Sequence, residues 1–102
     1  IQPALQFVRM ANARGMSVWM GGMYDTGISR RMHAAFQMLP GVVDAGDIGA
    51  TSRYFDVDVT DPPYTVERGT VTLERRGHEH GLGCALDRSA LSRVLIDQQT
   101  YE

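Results

Sequence analysis

The run Ser17-Val18-Trp19-Met20, nearly continuous in apolar residues and closed by Gly21-Gly22, constrains the fold most. A strand with one wet face alternates apolar and polar residues, whereas a parallel strand covered on both faces does not. Residues 17–20 therefore predict a buried parallel strand with a glycine-rich exit. Helical patterns flank it. Upstream, Ile1, Leu5, Val8 and Ala11 recur at helical spacing, Pro3 is tolerable in a first turn, and Gly15 suits a left-handed end. Downstream, Ile28, Met32, Ala35, Phe36 and Leu39 predict a second amphipathic helix ended by Pro40-Gly41. Residues 42–45 then offer a second short strand, and Gly46-Asp47-Ile48-Gly49 leads into a loop.

The predicted order of helix, strand, helix, strand implies an α/β class with parallel pairing through a helical crossover. Two such strands cannot bury both faces of a sheet, and 102 residues make a marginal core, so residues 1–50 are expected to need neighbours outside the chain. Ile1 enters a helical pattern almost at once, with no leader-like segment, and the chain is expected to be a piece of something longer. Residues 51–102 change character. Tyr64-Thr65-Val66 and Val71-Thr72-Leu73 flank Glu67-Arg68-Gly69 as a hairpin would, with Gly69 providing a positive φ. Asp87 is placed to cap a short helix carrying Leu91, Val94 and Leu95.

A formal net charge of -2 with interspersed acids and bases forecasts no surface for nucleic acid or anionic lipid. Apolar stretches fall far short of the roughly 20 residues a membrane helix needs. Cys84, the sole cysteine, excludes an intrachain disulfide and fits a reducing compartment, so a cytoplasmic location is expected.

Gly21-Gly22-Met23-Tyr24-Asp25-Thr26-Gly27-Ile28, Leu39-Pro40-Gly41, Gly46-Asp47-Ile48, Ser52-Arg53-Tyr54-Phe55, Asp58, Pro62-Pro63-Tyr64, Gly69-Thr70-Val71, Gly81-Leu82-Gly83 and Asp87 follow one another in a distinctive order. This succession resembles the C-terminal third of o-succinylbenzoate synthases and N-acylamino acid racemases, in the muconate-lactonizing-enzyme-like part of the enolase superfamily. The resemblance implies a modified (β/α) barrel with an α+β capping domain. Residues 17–20 and 42–45 would correspond to its seventh and eighth strands, and residues 51–102 would pack back toward the cap. It also implies proton abstraction alpha to a carboxylate on a small-molecule substrate, followed by loss of water or by reprotonation. A divalent metal, normally Mg2+, would stabilise the enediolate. The acid/base lysines and metal-binding carboxylates would lie upstream of Ile1, leaving no catalytic or metal-binding residue in this chain. A homo-oligomeric full-length protein is expected.

What the chain would supply is a substrate wall at the C-terminal end of its first strand, where barrel enzymes place their sites. Gly21, Gly22 and Met23 are the leading candidates, with glycines admitting close approach of backbone amides and Met23 and Tyr24 shaping a pocket. Asp25 stands where relatives usually carry Glu, and Tyr24 where they carry an aliphatic residue. Asp47 either orients its loop or touches the site. Residues 77–80 replace a Pro-Gly-rich turn.

Blander readings hold elsewhere. His78-Glu79-His80 has the ligand types but not the spacing of a metal site, since Glu79 would oppose the two histidines on a strand. Asp56 and Asp58 fit a polar strand face better than a calcium loop. His33 has no nucleophile beside it and reads as a packing or surface histidine. Cys84 reads as buried rather than nucleophilic. A standalone, non-catalytic domain is the rival from another class.

Overall fold

The computed structural model describes residues 1–43, 45–73 and 80–100. Helix α1 (Gln2–Asn12) is followed by a short extended segment, helix α2 (Gly27–Gln37) and a second extended segment. A 3-10 turn (Thr51–Arg53), strand β1 (Thr60–Asp61), strand β2 (Ala85–Leu86) and helix α3 (Arg88–Val94) follow among the described residues.

The two extended segments lie side by side and parallel, bridged at Val18 with Val42 and at Gly21 with Asp47. Backbone bonds from Val43 N to Val18 O (2.8 Å), Asp47 N to Met20 O (2.9 Å) and Gly22 N to Asp47 O (2.9 Å) join them. The Gln37 amide reinforces the pair from α2: its Oε1 accepts from Met20 N at 2.9 Å, and its Nε2 donates to Val43 O. The expected parallel pairing is thus present as bridges rather than as a ladder, and Asp44 of the second segment lies outside the described residues.

Val18 and Val42 turn one face of this pair onto Val8 and Ala11 of α1, with Met20 and Leu39 at the margin. Burying each valine contributes about 1.5 kcal/mol or more. The opposite face carries Trp19, 57% exposed, and Val43, also exposed. The first segment was expected to be covered on both faces, and the described residues cover one of them. Helix α1 stops as its sequence predicts, with Gly15 at φ 70° and Met16 N reaching back to Ala11 O at 3.0 Å.

Helix α2 departs from its predicted face. Gly27, Arg30, Arg31 and Ala34 are its buried residues, while Ile28 and Ala35 are exposed and Met32, Phe36 and Leu39 half-buried. The buried stripe still has helical spacing, but polar and small residues make it, because residues 51–64 fold over the start of the helix.

The hairpin is reduced to its turn. Glu67 and Thr70 exchange both backbone bonds, at 2.9 and 2.8 Å, and Arg68 (φ 50°) and Gly69 (φ 78°) are both left-handed, the signature of a two-residue type I′ loop. No ladder extends to residues 64–66 and 71–73; Tyr64 is instead buried, and the antiparallel pair is β1 with β2, Thr60 opposite Leu86. Residues 53–59 form no strand, so Asp56 and Asp58 do not share a strand face. Asp87 caps α3 as expected, accepting from Ala90 N at 2.9 Å. Cys84 is half-buried rather than buried.

The radius of gyration is 15.4 Å, against about 13 Å for a compact domain of this length. Phe7, Met16, Trp19, Met38 and Ile96 all lie exposed. The 102-residue chain produced alone is expected to melt without a cooperative transition by circular dichroism; a sharp, concentration-independent two-state melt would show that it needs no neighbours.

Candidate functional site

The first extended segment ends at Gly21 and α2 begins at Gly27, so the intervening loop sits beside the N-terminal turn of the helix. The second segment reaches the same end at Asp47. Gly21 and Asp47 face each other across the parallel bridge, and all six predicted site residues, Gly21, Gly22, Met23, Tyr24, Asp25 and Asp47, gather at one end of the paired segments.

Inside the loop, the Asp25 carboxylate accepts from Met23 N at 2.9 Å and stands 3.9 Å from Nδ1 of His33, a buried ring nitrogen without a hydrogen-bond partner. A Cβ on Gly22 would come within 2.9 Å of that carboxylate and 3.2 Å of the imidazole, so this position must be bare for Asp25 to fold inward. Gly22 N and Met23 N are therefore engaged within the protein. A molecule resting here would meet the Met23 and Tyr24 side chains, 62% and 74% exposed, rather than these two amides. The side chain of Asp47 is exposed, and it is its backbone that ties the two loops.

Sequence reasoning missed what lies underneath. Arg30 is completely buried. Its Nε donates to Asp25 O at 2.8 Å, Nη2 to Met23 O and Nη1 to Gly49 O, and its Cζ lies 5.3 Å from the centre of the Tyr54 ring. Tyr54 in turn meets Tyr24 edge to face, with centroids 5.1 Å apart. The spacing of Gly27, Arg30, Arg31 and Ala34 places small residues and arginines on one helical face but does not distinguish a buried face from a solvated one.

Asp58 closes the other side. Its Oδ1 accepts from Gly27 N at 2.9 Å and its Oδ2 from Tyr64 N at 2.8 Å. Burial alone pushes this carboxyl up, but the Tyr64 and Gly27 amides outweigh it and hold the pKa below the ordinary aspartate value. The buried Thr51 and Thr60 hydroxyls face the carboxylate and add to the lowering, although neither oxygen reaches full hydrogen-bond geometry. A Cβ on Gly27 would strike Asp58 Oδ2 at 2.5 Å. Burial pushes the Tyr64 phenol up, against the opposing pull of Arg30 and Arg31.

A cavity of about 430 Å3 has Asp47 in its lining, together with Ala34, Gln37 and Gly49, but none of residues 21–25. Another of about 610 Å3 is lined by Arg31, Pro62, Tyr64, Arg68 and Thr70 among others, and none of residues 21–25 borders it. The loop is an open wall. These residues do not fit a metal centre either: the Asp25 and Asp58 carboxylates are taken up by backbone amides, and among the described residues no three His, Cys, Asp or Glu side chains converge as ligands. His80 is exposed, and His78 and Glu79 lie outside the described residues. No helix among the described residues is long and apolar enough to cross a membrane.

No family model matches the chain. It is 30% identical over 98 residues to the o-succinylbenzoate synthase of Bacillus subtilis strain 168, a match covering 96% of this chain and 26% of that protein. The o-succinylbenzoate synthase of Enterococcus faecalis V583 is 33% identical over 98 residues, 96% of this chain and 25% of that one. The N-succinylamino acid racemase of Thermus thermophilus is 27% identical over 96 residues, 94% and 25% of the respective chains. A crystal structure described as an unknown member of the enolase superfamily from Enterococcus faecalis V583 superimposes with a TM-score of 0.79 at 33% identity, over 91% of this chain and 24% of that one.

Over nearly its whole length the chain is homologous to a segment of proteins of the enolase superfamily. Within it, its similarity is to proteins named o-succinylbenzoate synthase and N-succinylamino acid racemase, and it spans about a quarter of the length of these curated relatives.

Two outcomes are expected of the Asp58 clasp in the protein that carries this segment. Because the folded pKa is depressed, the stabilisation is full above the ordinary carboxylate pKa and is lost as pH falls through the folded value. Asp58→Asn should therefore lower the melting temperature at neutral pH and flatten its acid dependence, read by calorimetry from about pH 7 down to about 3. Gly27→Ala should cost about 1–3 kcal/mol through overpacking against Asp58, measured by denaturant titration.

Proposed function

We propose that this chain is the C-terminal part of an o-succinylbenzoate synthase and supplies one wall of its active site at the mouth of a (β/α) barrel. The observation that carries this reading is the convergence of the Gly21-Gly22-Met23-Tyr24-Asp25 loop with Asp47 at one end of two parallel segments. In a barrel that end of the strands holds the chemistry. The exposed face carrying Trp19 and Val43 would be the side turned to the rest of the barrel.

The reaction is abstraction of the proton alpha to a carboxylate of a cyclohexadiene substrate, then loss of water, a step in menaquinone biosynthesis. The acid/base lysines and the ligands of a divalent metal, Mg2+ by family resemblance, belong to residues outside this chain. Residues 21–25 contribute shape: the bare Gly22 lets the loop fold Asp25 inward, and the exposed Met23 and Tyr24 side chains cover the acyl portion of the substrate. The inward-turned Asp25, its carboxylate held by Met23 N, keeps that charge away from an anionic ligand.

N-succinylamino acid racemisation is the second reading, favoured by relatives of that name from Thermus thermophilus and Amycolatopsis. The full-length protein with Mg2+ should turn over the cyclohexadiene carboxylate with a higher kcat/KM than an N-succinylamino acid, followed by absorbance and by polarimetry. The reverse order would make it a racemase, and turnover of neither would overturn both readings.

A further inference from the structure

A guanidinium taken completely out of water normally needs a carboxylate, because burying an unpaired charge is costly. Among the described residues none stands at ion-pair distance from Arg30. Three main-chain carbonyls take that place, two from the loop after the first extended segment (Met23 and Asp25) and one from the turn after the second (Gly49), with the Tyr54 ring over the guanidinium carbon. The planar fork fixes the directions of its donors, so three carbonyls bound to one guanidinium are held in a set mutual arrangement.

These contacts are confined to one end of the molecule. The core of Val8, Ala11, Val18 and Val42, the Gln37 amide and the Asp58 clasp hold the segments and helices together without Arg30. What Arg30 fixes is the course of residues 23–25 and their register against Gly49, and through Tyr54 it reaches Tyr24, the most exposed side chain of the loop.

We propose that Arg30 is a positioning residue that sets, from beneath, the shape of the surface formed by Met23 and Tyr24, and with it the enzyme's choice between the cyclohexadiene carboxylate and N-succinylamino acids. This rests on the reading that residues 21–25 line the substrate site. Arg30 touches no substrate in this scheme; it acts through the carbonyls it holds.

The test uses the full-length enzyme and three variants, each assayed with both substrates and melted. Arg30→Lys keeps the charge but cannot span three carbonyls, and is expected to raise KM about tenfold, hold kcat within about threefold and change the ratio of the two kcat/KM values. Tyr54→Leu, at a partly exposed position, removes the ring and should shift KM in the same direction by a smaller factor. Met23→Ala tests the wall itself and should raise KM for both substrates. A lowered melting temperature in Arg30→Lys with KM and the substrate ratio unchanged would reduce Arg30 to a structural residue and overturn the proposal. Should that variant not fold, an unchanged KM and ratio in Tyr54→Leu has the same effect. If Met23→Ala raises KM while the other two variants do not, the wall stands and the role of Arg30 fails. If Met23→Ala also leaves KM unchanged, the substrate-wall reading falls with it.

Discussion

Three backbone hydrogen bonds between the segments that start near Val18 and Val42 set the position of almost everything else in the chain. Parallel segments cannot be joined by a tight turn, so the chain must return along a crossover, and α2 is that crossover. A returning helix starts beside the point where the first segment stopped. The glycine loop, the first turns of α2 and the Asp47 turn are therefore neighbours by topology, before any side chain is considered. The Gln37 amide then holds the far end of the crossover to both segments.

Polar groups hold this end of the molecule. Asp58 satisfies two backbone amides, one of them at the open start of α2, where an anion is also favoured by the helix dipole. Arg30 satisfies three carbonyls from two loops. Such groups define geometry more sharply than apolar packing does, because donors and acceptors have directions as well as sizes. The apolar cluster under α1 is small by comparison, and the opposite face of the paired segments carries exposed Trp19.

Local chemistry made much of this legible. Gly15 after α1, Asp87 before α3, and the left-handed residue expected at Gly69 are written in single residues with short-range consequences, and each is found where expected. The parallel pairing was legible from the apolar run closed by Gly21-Gly22, and the placement of the six candidate residues at one end of the pair followed from it. The buried face of α2 was not legible. Arg30 and Arg31 look like solvent-facing residues until the carbonyls of residues 49 and 62 arrive, and nothing in the spacing of residues 27–37 announces those distant partners. Asp58 was hidden for the same reason, its partner Gly27 lying 31 positions earlier. The ladder expected around residues 64–73 gave way to burial of Tyr64 and pairing of Thr60 with Leu86, a tertiary preference overriding a local one.

An anchor that grips main-chain oxygens is indifferent to the side chains those residues carry. The guanidinium holds the carbonyls of residues 23 and 25 whatever side chains those residues carry, and the exposed side chain of residue 24 between them meets the support only at the edge of Tyr54. The two places where this loop departs from its family resemblance, Tyr24 and Asp25, fall inside that protected stretch. Divergence of the loop surface is thereby uncoupled from the integrity of the scaffold, leaving a patch on which new specificities can be tried one residue at a time.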